Sequence, residues 1–158
     1  NETDYFETVL PSFTAYEVTA TKPILAAQYN QGALAGGGTT STDPFMMLVP
    51  PSGQYLDSYT VTTPASTPVV FTNYINVAVL ASDIDSCTID GGGAFSALYT
   101  FLGKISIGTS GYTGAQMSVG VGVHTLECPS RFGVFVYGHA SPLLASYGYP
   151  GGMALRII

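Results

Sequence analysis

The sequence predicts an all-β fold, an antiparallel β-sandwich or jelly-roll-like pair of sheets, and three observations carry that prediction. Thr, Val, Ile, Tyr and Phe, the types that fit a pleated and half-buried surface, dominate the 158-residue chain. Apolar and polar side chains alternate with a period of two in several segments. Gly, Pro, Asn and Asp clusters separate those segments every 8 to 14 residues or so, and no segment offers a 3.6-residue apolar period with caps.

Composition narrows the class further. With 46% hydrophobic residues, 9% charged and a mean hydropathy of +0.32, the chain has ample apolar surface to bury and is not disordered. Four Lys and Arg in total cannot furnish the solvated faces of a coiled coil or helical bundle. The net charge of −6 and pI of 4.4, with Lys22, Lys104, Arg131 and Arg156 scattered singly, argue against nucleic acid and against an anionic membrane surface. No apolar run approaches the ~20 residues that span a bilayer, so no membrane insertion is expected. Length favours one unit, and residues 1–158 are read as a single β-sandwich domain or part-domain. The chain starts at Asn1 with neither an initiator Met nor a charged and apolar leader, as expected of a processed or excised segment.

The elements follow in order. Pro23 to Tyr29 reads as a strand, and Gly36-Gly37-Gly38 through Pro44 as a flexible loop. Phe45 to Val49 is an unbroken apolar run closed by Pro50-Pro51, the pattern of a strand buried on both faces. Tyr55 to Thr63 and Val69 to Leu80 are strands joined through Pro64 and Pro68, and Phe71, Ile75, Val77 and Val79 share one face of the second. Cys87 to Phe95 forms a hairpin, because Asp90-Gly91 supplies the positive φ of a tight turn. Met117, Val119, Val121 and Val123 alternate with Ser118, Gly120, Gly122 and His124, placing the four apolar side chains inward and His124 outward. Phe132, Val134 and Val136 repeat the pattern after a turn at Pro129-Ser130, and Met153, Leu155 and Ile157 repeat it at the C-terminus.

Cys87 and Cys128 are the only cysteines, which permits one disulfide or two buried free thiols. Their separation gives no metal-ligand or redox spacing. Closing that loop would stabilise the fold by roughly 4 kcal/mol in the chain-entropy model, and the bond implies an oxidising compartment. Asn1-Glu2-Thr3 is a glycosylation sequon, so Asn1 is a candidate attachment site in a secreted chain.

Little in the sequence supports catalysis. His124 and His139 lack a Gly-x-Ser-x-Gly neighbour, and the ten acids select no opposed pair. Asp83, Asp85 and Asp90 are dense enough to be weak calcium candidates, but Cys87 and Thr88 interrupt any EF-hand spacing, and a solvated acidic loop explains them as well. The glycine clusters at Gly36 to Gly38 and Gly91 to Gly93 lack the strand-to-helix context of a phosphate loop and read as turns. In the aromatic-rich tail, Tyr137-Gly138-His139 through Tyr147-Gly148-Tyr149-Pro150-Gly151-Gly152, tyrosines set between glycines either present rings for recognition or pack over a sandwich edge with their hydroxyls on backbone. No cofactor is expected.

Several segments in order resemble one family. Asp43-Pro44-Phe45-Met46-Met47-Leu48-Val49-Pro50-Pro51 with Gln54-Tyr55 and Tyr59, Phe71 to Val77, Val123-His124-Thr125-Leu126, Phe132 to Gly138, and Ser146 to Met153 are similar to the N-terminal domain of the IgGFc-binding protein and its relatives. The resemblance spans about residues 22–153 and looks like the C-terminal half of that domain, so strands outside this segment are expected to complete its sheets. It implies a non-catalytic, extracellular β-rich module of large secreted proteins that act in mucus, adhesion or matrices. The resulting expectation is a protein-interaction or assembly module with protein partners or self-assembly through neighbouring domains. The alternative is a lectin-like sandwich that binds glycans through Tyr112, Tyr147 or Tyr149.

Overall fold

In the computed structural model, which describes residues 4–31, 43–65, 68–140 and 144–155, the period-2 segments become ten strands. They are β1 (Ala27–Tyr29), β2 (Met46–Leu48), β3 (Leu56–Thr63), β4 (Thr72–Leu80), β5 (Thr88–Ile89), β6 (Gly93–Ala94), β7 (Tyr99–Ile107), β8 (Tyr112–Val119), β9 (Gly122–Ala140) and β10 (Ala145–Pro150). All pairing is antiparallel, and the curled sheets form a β-sandwich-like fold.

The 19-residue β9 organises the whole. Its first half pairs with β3, from Thr63↔Gly122 to Ser58↔Glu127, and with β5 through Ile89↔Leu126. Its second half pairs with β4, from Ala78↔Gly133 to Thr72↔His139, and with β10. One sheet therefore runs β3-β9-β5-β6 and the other β10-β9-β4-β8-β7, with a single strand passing from one to the other. The passage falls where the β3–β9 register slips between Leu56 and Ser58. Pro129 lies there, since proline removes a ladder donor and is tolerated at such irregularities. The turn expected at Pro129-Ser130 is thus a bulge within one continuous strand.

The core lies between the sheets. Ile75, Val77 and Val79 of β4, Met117 of β8, Val134 and Val136 of β9 face Tyr59 and Val61 of β3, Ile89 of β5 and Leu126 and Phe132 of β9. Tyr59 meets Phe132 edge-on at 4.9 Å, and its hydroxyl donates to the Phe132 carbonyl. The Cys87–Cys128 disulfide closes the same core. It continues the β5–β9 register one step beyond Thr88↔Glu127.

Four further expectations need correction. The alternation through Val123 does not belong to one strand, because the chain turns at Gly120-Val121 and resumes with Gly122 at φ +135°. Parity flips there: Met117 is buried, Val123 is 64% exposed, and His124 points inward and is buried. Phe45 to Val49 is not buried on both faces. Among the described residues its strand β2 pairs only with the short β1, so Met47 is covered while Met46 and Leu48 are exposed. Pro23 to Tyr29 yields only the three residues of β1. At the C-terminus, 151–155 form no strand and Leu155 is exposed, the chain having already spent its edge pairing in β10. Asn1, Gly36 to Gly38 and Ile157 lie outside the described residues.

Candidate functional site

Tyrosines concentrate where β10 adds to β9. The register sets Tyr147 opposite Gly138 and Tyr149 opposite Val136, which places both rings on the core side of the sheet. They stack on each other at 6.2 Å, and Tyr147 meets Phe71 edge-on at 5.3 Å. Glycine at 138 is required: a Cβ there would sit 2.5 Å from the Tyr147 ring and 2.8 Å from Asn73 Oδ1. Across that gap the Tyr147 hydroxyl donates to Asn73 Oδ1 at 2.7 Å, and Asn73 is buried. The Tyr149 hydroxyl donates to the Thr62 carbonyl at 2.6 Å and accepts from the Thr62 N–H at 3.0 Å, tying β10 of one sheet to β3 of the other. Burial raises both phenols above their ordinary range. Tyr112 lies on the opposite face of its sheet, edge-on to Tyr55 at 6.0 Å. The three tyrosines do not converge on one platform.

A second aromatic group, which takes in Tyr137 and His139 from the start of the aromatic-rich tail, covers the outer face of the larger sheet. Tyr74 and Tyr137 are direct cross-strand partners and stack at 5.4 Å. His139 lies 5.5 Å from Tyr137, and Phe45 from the β1–β2 ribbon covers both at 6.1 and 6.0 Å. Gln116 Nε2 donates to the Tyr137 hydroxyl. Burial pushes Tyr137 up to about 12 and lowers His139. The signal was the alternation Phe135, Tyr137, His139 on β9, but which face would be covered depended on a ribbon some ninety positions earlier.

The acidic residues are separated by their partners. Asp83 takes the Ser82 hydroxyl at 2.6 Å, Asp85 takes the Lys104 ammonium at 2.9 Å, and Asp90 binds His124 Nδ1 at 2.9 Å and the Thr125 N–H at 3.0 Å. Burial pushes the Asp90 carboxyl up, yet the His124 and Thr125 hydrogen bonds and the His124 charge outweigh it and hold the group below its ordinary value. Among the described residues no group of three or more His, Cys, Asp or Glu is placed to hold a metal. His124 also bonds the Gly120 carbonyl through Nε2 at 3.2 Å, and Thr63 Oγ1 caps the same turn. This cluster fixes the β8–β9 turn against the β5–β6 turn, where Asp90 takes φ +55° and Gly91 +80°, as the Asp-Gly reading required.

The arrangement offers half-buried aromatic surface and hydrogen bonds directed inward. No curated protein and no solved structure matches the chain. A family model described as IgGFc binding protein matches residues 1–138, reaching further upstream than the motifs read from 22 to 153. The match covers most of the chain, which belongs to the IgGFc binding protein family.

Proposed function

We propose that this chain is a non-catalytic extracellular protein-interaction module that serves assembly in an adhesive, mucus-like or filamentous secreted material. Family membership is the observation that carries the reading, since the family's description names a protein ligand. The Cys87–Cys128 bond supports an oxidising compartment, where such bonds persist. The positions of Tyr147 and Tyr149 support proteins over glycans as partners: their rings stack on each other on the core side of the sheet, and their hydroxyls are occupied by Asn73 and Thr62. Fc itself is not assigned as the ligand of this chain.

The test immobilises the purified, oxidised chain and presents extracellular proteins, further copies of the chain, and a glycan array with and without chelator. Saturable protein binding with a silent array is expected. Chelator-sensitive glycan binding without any protein binding would overturn the reading.

A further inference from the structure

We propose that two copies of this chain exchange the arms formed by residues 4–26, each arm laying its apolar side chains along the β7 edge of the other copy. The proposal rests on the protein-interaction reading and names the partner as a second copy. Strand β7 ends the larger sheet; it pairs with β8, and among the described residues no strand pairs with its other edge. An open edge is a template for another chain. The edge is also disturbed in a telling way. Between Tyr99 and Lys104 the register slips, Gly103 takes φ +59°, and Phe101 stands 84% exposed.

The arm has the complementary character. It forms no strand, yet it carries Tyr5 and Phe6, each 89% exposed, with Val9, Phe13 and Val18 exposed as well. It already touches the β7 edge of its own copy at two points. Phe13 meets Phe101 edge-on at 5.5 Å, and the Glu17 carboxylate accepts the Thr109 N–H at 3.0 Å just beyond β7. Those contacts show what the edge accepts: a ring at the bulge and a carboxylate on the amide past the strand end. They leave most of the arm's apolar surface in water. Reciprocal exchange would cover it by a two-fold, self-complementary arrangement that needs no foreign partner. The arm's exposed side chains and Phe101 together offer on the order of 1,000 Å² per copy, which meets the roughly 800 Å² per partner of stable interfaces.

Sedimentation of the 158-residue chain across about 1 to 100 µM tests this. A dimer is expected, with a dissociation constant raised at least ~10-fold by Phe101→Lys. Because Phe101 is outside the core, circular dichroism should report the same strand content in the variant. Oxidising an equal mixture of Phe13→Cys and Phe101→Cys chains should give a covalent heterodimer. A chain that stays monomeric at the highest concentration, or a dimer indifferent to Phe101→Lys, would overturn the exchange. So would crosslinking that occurs only inside a chain carrying both cysteines. A strict monomer that still binds another extracellular protein would refute arm exchange and leave the interaction reading standing.

Discussion

Replacing Tyr147 with Phe removes one oxygen and nothing else, and the structure says what that oxygen does. Its hydroxyl reaches Asn73 Oδ1 at 2.7 Å, and Asn73 is only 2% exposed. In the variant that acceptor stays buried without its donor, which costs about 1–3 kcal/mol. Tyr149→Phe differs. The Thr62 groups it releases lie near solvent and water can replace the hydroxyl, so the expected loss is about 0.5–1.5 kcal/mol. Urea denaturation of the oxidised protein, followed by far-UV circular dichroism, measures both, with the ordering Tyr147→Phe above Tyr149→Phe as the result to look for. Both variants keep the ring, so a sugar-stacking role would survive them while stability fell. If Tyr147→Phe left the midpoint unchanged, the assignment of these tyrosines to the sandwich edge would be refuted.

Other consequences can be measured in the same way. Replacing Cys87 and Cys128 together with Ala should lower stability by roughly 4 kcal/mol, the chain-entropy value for this loop, read as a drop in urea midpoint with a steeper slope, because the unfolded chain without its cross-link exposes more surface. Gly138→Ala should destabilise more than Gly53→Ala, since the first Cβ collides with Tyr147 and Asn73 whereas the second meets nothing within 4 Å; thermal melts of both decide it. Tyr55 and Tyr137 are each held at about 12 against an ordinary 10.0, burial being the first cause, so the folded state binds their protons more tightly than the unfolded one. Their contribution is complete below pH 10 and is lost as pH rises from 10 through 12, and absorbance titration of the phenolates should show them ionising late, with the other buried tyrosines such as Tyr147, and released with unfolding. Asp90 has the opposite sign. Its folded value is depressed, so its contribution is present above the ordinary 3.8 and lost as pH falls through the folded value, and Asp90→Asn should flatten that part of the acid unfolding curve.

Much of the fold was legible in the residues, and the gaps have physical reasons. The β5–β6 hairpin was readable because Asp-Gly has few other uses between two short apolar runs. Strand β4 was readable because one face is buried along most of its length, which leaves a clean alternation. The turn at Gly120-Val121 was not, since a valine-glycine alternation keeps its period through a change of direction, and only the Thr63 and His124 caps reveal the break. Strand β7 escaped notice because Gly103-Lys104 interrupts its apolar run, and its hairpin with β8 loses register between Tyr99 and Lys104. That a single strand would serve both sheets could not be read from Pro129, which marks a turn in most settings. At the candidate site, tyrosine between glycines pointed to the right segment, but the choice between ligand and packing needed Asn73 and Thr62, both more than seventy positions away.

A module proposed to work outside the cell should leave it with the Cys87–Cys128 staple closed. Peptide mapping under non-reducing conditions, on the protein recovered from the medium of cells that express its full parent chain, decides this. One linked Cys87–Cys128 peptide pair in the secreted fraction and no alkylated thiol is the expected result. Protein retained inside the cell with both cysteines alkylated would contradict it.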